Sequence, residues 1–358
     1  MVVVQKTPAE DLEGFTLASG WEIRKKLVKK IGSSGANFGT CYVAERGDEV
    51  AFVKAVDFRR AFTAPDFLSA VADLANHAMW EREIMEYCRA HRLSHVVRLV
   101  DYEEVLLPSA GGDPTQRVFC LVMEMGQGDL RGEINTRTIV SNAWKLFVAR
   151  DVALALDQLH RKGIVHLDVK PSNVIVGMER PGGAGADMKL GDLGRVVRKG
   201  VSGPFDTKIW PGDPSYSPPE KWYGYTSSQW NNNREAADAY MLGALLVYLF
   251  TGASFQALFL NHIPDAYKPG IYRSDFNSAL INVLINAQTQ VFATYVEPSL
   301  PRAVREELLV LIQQLTNPDP EKRGDPKARK QGIVGIDRYH QKFYRMAKRL
   351  DFSERARS

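Results

Sequence analysis

The chain has 358 residues, of which 45% are hydrophobic and 25% charged, and a formal net charge of +4. That length buries a sizeable core in one large domain or two lobes, and so small a charge gives no reason to expect a nucleic-acid partner. Three scattered cysteines without metal-ligand spacing (Cys41, Cys88, Cys120), no signal-peptide core, and a longest apolar run (Tyr240 to Phe250) too short to cross a bilayer predict a soluble protein without a transmembrane segment in a reducing, cytoplasmic compartment.

Residues 1–20 read as an N-terminal extension. Strand-like runs follow at Ile23 to Val28, Cys41 to Ala44 and Val50 to Lys54, separated by Gly-rich or charged turns. A helix is predicted from Asp66 to His91, then strands at Val96 to Val105 and Val118 to Met123 around a Gly/Pro loop. From Ser141 the character turns helical: Val148, Val152, Ala155, Leu156 and Leu159 share one face, and Gly163 stops the helix. The expectation is an α+β chain with a small β-rich lobe, a joint near Glu124 to Gly128, and a larger helical lobe. Gly177 to Asp187 is Gly-rich and reads as a hairpin tip.

The chemistry concentrates in His166-Leu167-Asp168-Val169-Lys170-Pro171-Ser172-Asn173. Asp168 is placed to accept or orient the proton of an attacking hydroxyl, and Lys170 to neutralise charge on a transferred phosphate. Asn173 offers an amide oxygen to Mg²⁺, a hard cation that prefers oxygen ligands. Asp192, in Lys189-Leu190-Gly191-Asp192-Leu193-Gly194, supplies a carboxylate for the same ion. These residues make a phosphoryl-transfer site if an ATP grip lies upstream.

With these motifs the sequence resembles the protein kinase superfamily, over roughly Trp21 to Gly324. The resemblance implies a bilobal kinase fold, with an N-lobe at about 21–123, a hinge at 124–128 and a C-lobe at 129–324. Residues 325–358 form a basic, helical C-terminal extension. It implies ATP and Mg²⁺ as cofactors. Lys54, in Val50-Ala51-Phe52-Val53-Lys54, is similar to the strand lysine that holds the α- and β-phosphates. Glu83 is taken as its helix partner, with Glu81 and Glu86 as rivals. Leu121 to Leu130 looks like a kinase hinge: Met123 is the gatekeeper, the backbones of Glu124 and Gly126 meet adenine, and Asp129 reaches the ribose. Glu220, in Pro218-Pro219-Glu220, is expected to pair with Arg323, and Asp238 to brace the backbone of the catalytic loop. His166, Leu193, Leu99 and Tyr87 are expected in an apolar spine between the lobes.

Four departures from the family pattern stand out. The phosphate-covering loop, Gly32-Ser33-Ser34-Gly35-Ala36-Asn37-Phe38-Gly39, either carries Ser34 and Ala36 at two glycine positions or has one extra residue. In the second register Gly32 and Gly35 are the flexible points, and Gly39 closes the loop. Leu167 replaces the arginine that usually meets an activation-loop phosphate, so activity without that phosphorylation is expected. Leu193 replaces phenylalanine in the metal-binding triplet. Asp213 stands where a threonine hydroxyl is usual, and it would repel Asp168 unless Lys170 lies between them.

Lys170 and the Pro-Pro-Glu segment favour a Ser/Thr protein kinase acting on protein substrates. The alternative is a pseudokinase or nucleotide-binding scaffold that works through protein contacts. Two segments are candidate docking surfaces. Ser254 to Glu297 is longer and more apolar than a linker. Ile336 to Leu350 places Ile336, Tyr339, Phe343, Met346 and Leu350 on one helical face among basic residues. That helix reads either as packed on the large lobe or as a docking helix for a partner or an anionic membrane.

Overall fold

The computed structural model describes residues 7–28, 39–107, 116–136, 140–179 and 186–355. Strands β1 (Glu22–Lys26), β2 (Thr40–Arg46), β3 (Glu49–Asp57), β4 (Leu99–Leu106) and β5 (Arg117–Glu124) form an antiparallel sheet in the order β1-β2-β3-β5-β4. Alternation along β3 sorts its side chains. Ala51, Val53 and Ala55 face a buried core with Trp21, Tyr42 and Val122, while Phe52 and Lys54 face the cleft. Residues 7–20, expected only as an extension, cover the far side of this sheet. Leu12 and Leu17 are buried there, Tyr42 Oη donates to Ala9 O at 2.7 Å, and Ala9 N donates to Asp57 Oδ2 at 3.0 Å.

Helix α1 (Phe67–Ala90) lies between β3 and β4 in the chain, and Asp66 caps it by accepting from Ser69 N at 3.1 Å. Short strands follow: β6 (Gly128–Asp129), β7 (Ile164–Val165), β8 (Val174–Glu179), β9 (Ala186–Leu190) and β10 (Val197–Arg198). They pair antiparallel as β6-β8-β9 and β7-β10. The expected hairpin is thus β8-β9; the tip between its strands lies outside the described residues.

The remainder is helical: α2 (Leu130–Thr136), α3 (Asn142–His160), α4 (Pro219–Trp222), α5 (Ala236–Thr251), α6 (Phe255–His262), α7 (Ser278–Val291), α8 (Glu297–Ser299), α9 (Arg305–Leu315), α10 (Pro326–Arg329) and α11 (Asp337–Arg355). Ser141 caps α3, accepting from Trp144 N at 3.0 Å, and the helix buries its predicted apolar face. Helix α5 is buried nearly throughout. At Gly243 it approaches α9 so closely that a Cβ would lie 2.5 Å from Thr316 Cγ2.

Both candidate docking segments bury many of their apolar side chains internally, although Ile271, Tyr295 and Tyr344 are exposed. Phe255 stacks between Phe259 and Phe292, with ring centroids 5.5 and 5.8 Å away. Helix α11 packs along α3 and buries Tyr339, Phe343, Met346 and Leu350. At about 1.5–3 kcal/mol per large apolar side chain, that face contributes to the fold and is covered. No single described helix is long and apolar enough to cross a membrane. Burial pushes the Cys88 and Cys120 thiols up to about 12, so both behave as inert core residues.

Candidate active site

The predicted catalytic residues converge between the sheet and the helical region. Asp238, at the start of α5 and fully buried, accepts from His166 N and Leu167 N, both at 2.8 Å. This carboxylate ties down two amides of a turn that regular structure cannot satisfy. Leu167 sits there at φ +58°. His166 Nε2 lies 3.1 Å from Gly191 O and its Nδ1 accepts from Asp168 N at 3.3 Å, which places the ring proton on Nε2. His166 therefore links the catalytic turn to the strand end that carries Asp192.

Asp168 is 4% exposed and held on three sides. Lys170 Nζ reaches its carboxylate at 2.9 and 3.1 Å, Asn173 Nδ2 donates to Oδ2 at 3.0 Å, and Asp213 N donates to Oδ1 at 2.9 Å. Burial raises the pKa of Asp168, and Lys170 only partly offsets it. The Asp213 carboxylate is 3.5 Å from the same Lys170 Nζ. The expected repulsion is thus resolved: Lys170 stands between the two carboxylates, and Asp213 meets Asp168 with its backbone N–H.

Lys54 extends from β3 into a second cluster. Its Nζ lies 2.7 and 2.8 Å from the two oxygens of Glu81 and 3.3 Å from Asp192 Oδ1. Burial alone would lower the Lys54 pKa, but the Glu81 and Asp192 carboxylates outweigh it and hold the ammonium above its ordinary value. Asp192 is pulled the other way: against its burial, Lys54 first and then Lys170 keep its carboxyl below the usual range. Asp192 adopts φ +56°, a left-handed conformation uncommon outside glycine.

The expectation of Glu83 as the partner of Lys54 is corrected to Glu81. Residues two apart on a helix point to nearly opposite sides. Glu81 lies in register with the buried Ala78, Ile84, Met85 and Cys88, whereas Glu83 is exposed. A glutamate inside an apolar i, i+3, i+4 pattern was the available signal. The same shift affects the spine: Leu99, Leu193 and His166 are fully buried, but on α1 the deeply buried residues are Ile84, Met85 and Cys88. Tyr87 is half-buried, with Arg198 stacked 3.7 Å above its ring. We expect Glu81→Gln to lower phosphoryl transfer by about 10²-fold and Glu83→Gln to leave it within about twofold, read as initial rates. Equal effects would contradict this assignment.

A cleft of about 540 Å³ opens beside this cluster, lined by Phe52, Met123, Gly126, Asp129, Asn173 and Asp192 among others. Gly126 lies so close to β8 that a Cβ would come within 2.3 Å of Ile175 Cγ2. The Glu124 carboxylate holds Lys189 Nζ at 2.7 and 2.8 Å. Asp129 borders the cleft and also accepts from Gly132 N at 2.7 Å. Gly39 is pressed onto β3, where a Cβ would meet Ala55 O at 2.6 Å. Gly32 and Gly35 lie outside the described residues.

A protein kinase domain model matches residues 26–331. The chain belongs to the protein kinase family. It is 28% identical over 218 residues to the serine/threonine-protein kinase ArnS of Sulfolobus acidocaldarius, covering 57% of this chain and 33% of that protein. It is 26% identical over 250 residues to the serine/threonine-protein kinase PknJ of Mycobacterium tuberculosis, covering 70% of this chain and 37% of that one. The probable serine/threonine-protein kinase PknB of Bifidobacterium longum matches at 28% over 211 residues, covering 55% and 29% respectively. The chain thus spans about a third of the length of these relatives.

In this member of the kinase family the segment that ends in Pro218-Pro219-Glu220 is bracketed as expected. Glu220 and Arg323, each at most 1% exposed, form a bidentate pair at 2.7 and 2.8 Å. Arg323 also donates to Ala236 O and Asn317 O, so the guanidinium is spread over several acceptors. Residues not anticipated from the sequence hold the rest of the segment: Trp80, Phe205 and Arg234 are all buried against it or within it. No local motif marks them, because each acts on a partner far away in the chain.

Proposed function

We propose that this kinase transfers the γ-phosphoryl group of ATP to Ser or Thr hydroxyls of protein substrates, and does so without phosphorylation of its activation segment. The observation that carries the reading is the assembled pair of clusters: Asp168 with Lys170, and Lys54 with Glu81 and Asp192. The family and the named serine/threonine kinases support it. A buried Leu167 in place of an arginine leaves that position without a cation for an activation-segment phosphate.

Mg²⁺ fits the residues present. Asn173 Oδ1 is buried and has no hydrogen-bond partner among the described residues, and Asp192 borders the same cleft with a carboxylate kept ionised by its neighbours. Asn173 and Asp192 are the groups that would hold it. When bound, the ion neutralises phosphate charge during transfer. Lys54, oriented by Glu81, positions the phosphates. Asp168 orients the substrate hydroxyl and receives its proton. Lys170, already between Asp168 and Asp213, screens charge on the transferred group. Glu124 and Gly126 offer backbone groups to the adenine, and Asp129 faces the ribose.

The test is transfer of label from ATP with Mg²⁺ to a generic protein substrate, before and after phosphatase treatment of the kinase. Treated and untreated protein should agree within about twofold. Loss of activity on treatment would sink the phosphate-independent reading. Transfer no greater than that of Lys54→Ala would favour a nucleotide-binding scaffold acting through protein contacts.

A further inference from the structure

The activation segment from Asp192 to Glu220 must hold Asp213 against Asp168. Between these points Phe205 is the largest of the fully buried side chains, at 1% exposure. Its ring stacks on His77 of α1, with centroids 4.8 Å apart and planes 14° from parallel. Arg195 and Lys208 place cations 5.4 and 5.2 Å from the ring centroid. Trp80, three residues after His77, donates from Nε1 to Val196 O at 3.0 Å, and Gly203 lies so close to the Trp80 ring that a Cβ would come within 2.8 Å. Behind Phe205, Arg234 donates to Asp206 O at 2.8 Å.

His77 and Glu81 are four residues apart and share one face of α1. A segment fastened to His77 therefore also sets the rotation of the helix that brings Glu81 to Lys54. Toward its other end the same segment continues through Trp210, whose Nε1 donates to Asp213 O at 3.1 Å, to the Asp213 N–H on Asp168.

We propose that Phe205 is a positioning residue, an aromatic latch that joins the activation segment to α1 and so aligns both catalytic clusters without covalent modification. This rests on the phosphotransferase reading above and assigns the alignment of that site to one side chain. The Phe205 ring itself needs no covalent modification to make these contacts.

The experiment compares full-length wild type, Phe205→Ala and Phe205→Leu at a temperature where circular dichroism shows each folded. Phe205→Ala should lower kcat at least about tenfold while KM for ATP stays within about threefold, and Phe205→Leu, which keeps apolar burial but has no ring to stack on His77, should recover less than half of the loss. Hydrogen exchange should quicken together in residues 203–214 and in residues 76–85 of Phe205→Ala. Wild-type kcat in folded Phe205→Ala, or faster exchange confined to residues 203–214, would overturn the latch. If wild type itself transfers no more label than Asp168→Asn, the kinase reading fails, and the exchange result alone still decides whether Phe205 couples the segment to α1.

Discussion

Asp168→Asn is expected to lower kcat by about 10²–10⁴-fold while leaving the fold and nucleotide binding intact. The substitution keeps the shape that Asn173, Lys170 and Asp213 N surround at 2.9–3.1 Å. It removes the negative charge that can take a hydroxyl proton. Lys170 then keeps the Asp213 carboxylate, at 3.5 Å, as its ion-pair partner. Burial raises the Asp168 pKa against the pull of Lys170, so the acid limb of the wild-type pH–rate profile should lie above the range of an ordinary aspartate. As pH falls through that raised value the carboxylate gains a proton and kcat drops; Asp168→Asn should lack this limb. The measurement is initial-rate kinetics across pH, with ATP-induced thermal stabilisation as the control for binding. A variant retaining more than about a tenth of wild-type kcat would remove Asp168 from the chemistry.

Arg323→Ala should destabilise the protein by about 3–5 kcal/mol, and Glu220→Ala by a similar amount. Both side chains are at most 1% exposed, so removing one leaves the other charged and out of reach of water. Losing Arg323 also deprives Ala236 O and Asn317 O of a donor. Replacing both members with apolar residues of similar size should cost less than the sum of the single changes, because no orphaned charge remains. Urea denaturation of the four proteins gives the cycle. Single changes costing under about 1 kcal/mol would show that water reaches the pair. The bracket is structural, so its loss should lower stability far more than it alters kcat per folded molecule.

Much of the site was legible because it is local in the chain. Asp168, Lys170 and Asn173 fall within six residues of one turn, and Asp192 lies two residues past β9, the second strand after it. The Asp238 brace and the Glu220–Arg323 pair were also expected, since the motifs around them carry those charges. Glu83 was the error. Chain position along α1 was right to within a turn, but helical phase decides which glutamate faces Lys54, and phase follows from the apolar register of Ala78, Ile84 and Cys88. The N-terminal stretch read as an extension for a related reason: Leu12 and Leu17 are core residues only because the sheet presents an apolar face to them.

By itself the sequence determined the order of the β-rich and helical parts, the strands and long helix of the first, helix α3 and the turn that carries Asp168, since these depend on short-range periodicity, capping and spacing. The tertiary structure decided the rest. It seated Lys170 between Asp168 and Asp213, the one arrangement under which the sequence reading expected no repulsion. It placed α11 on α3, and Phe205 on His77 across 128 positions of chain. Such contacts depend on which faces meet when the core closes. Non-directional apolar burial drives that closure, and no local pattern records its geometry.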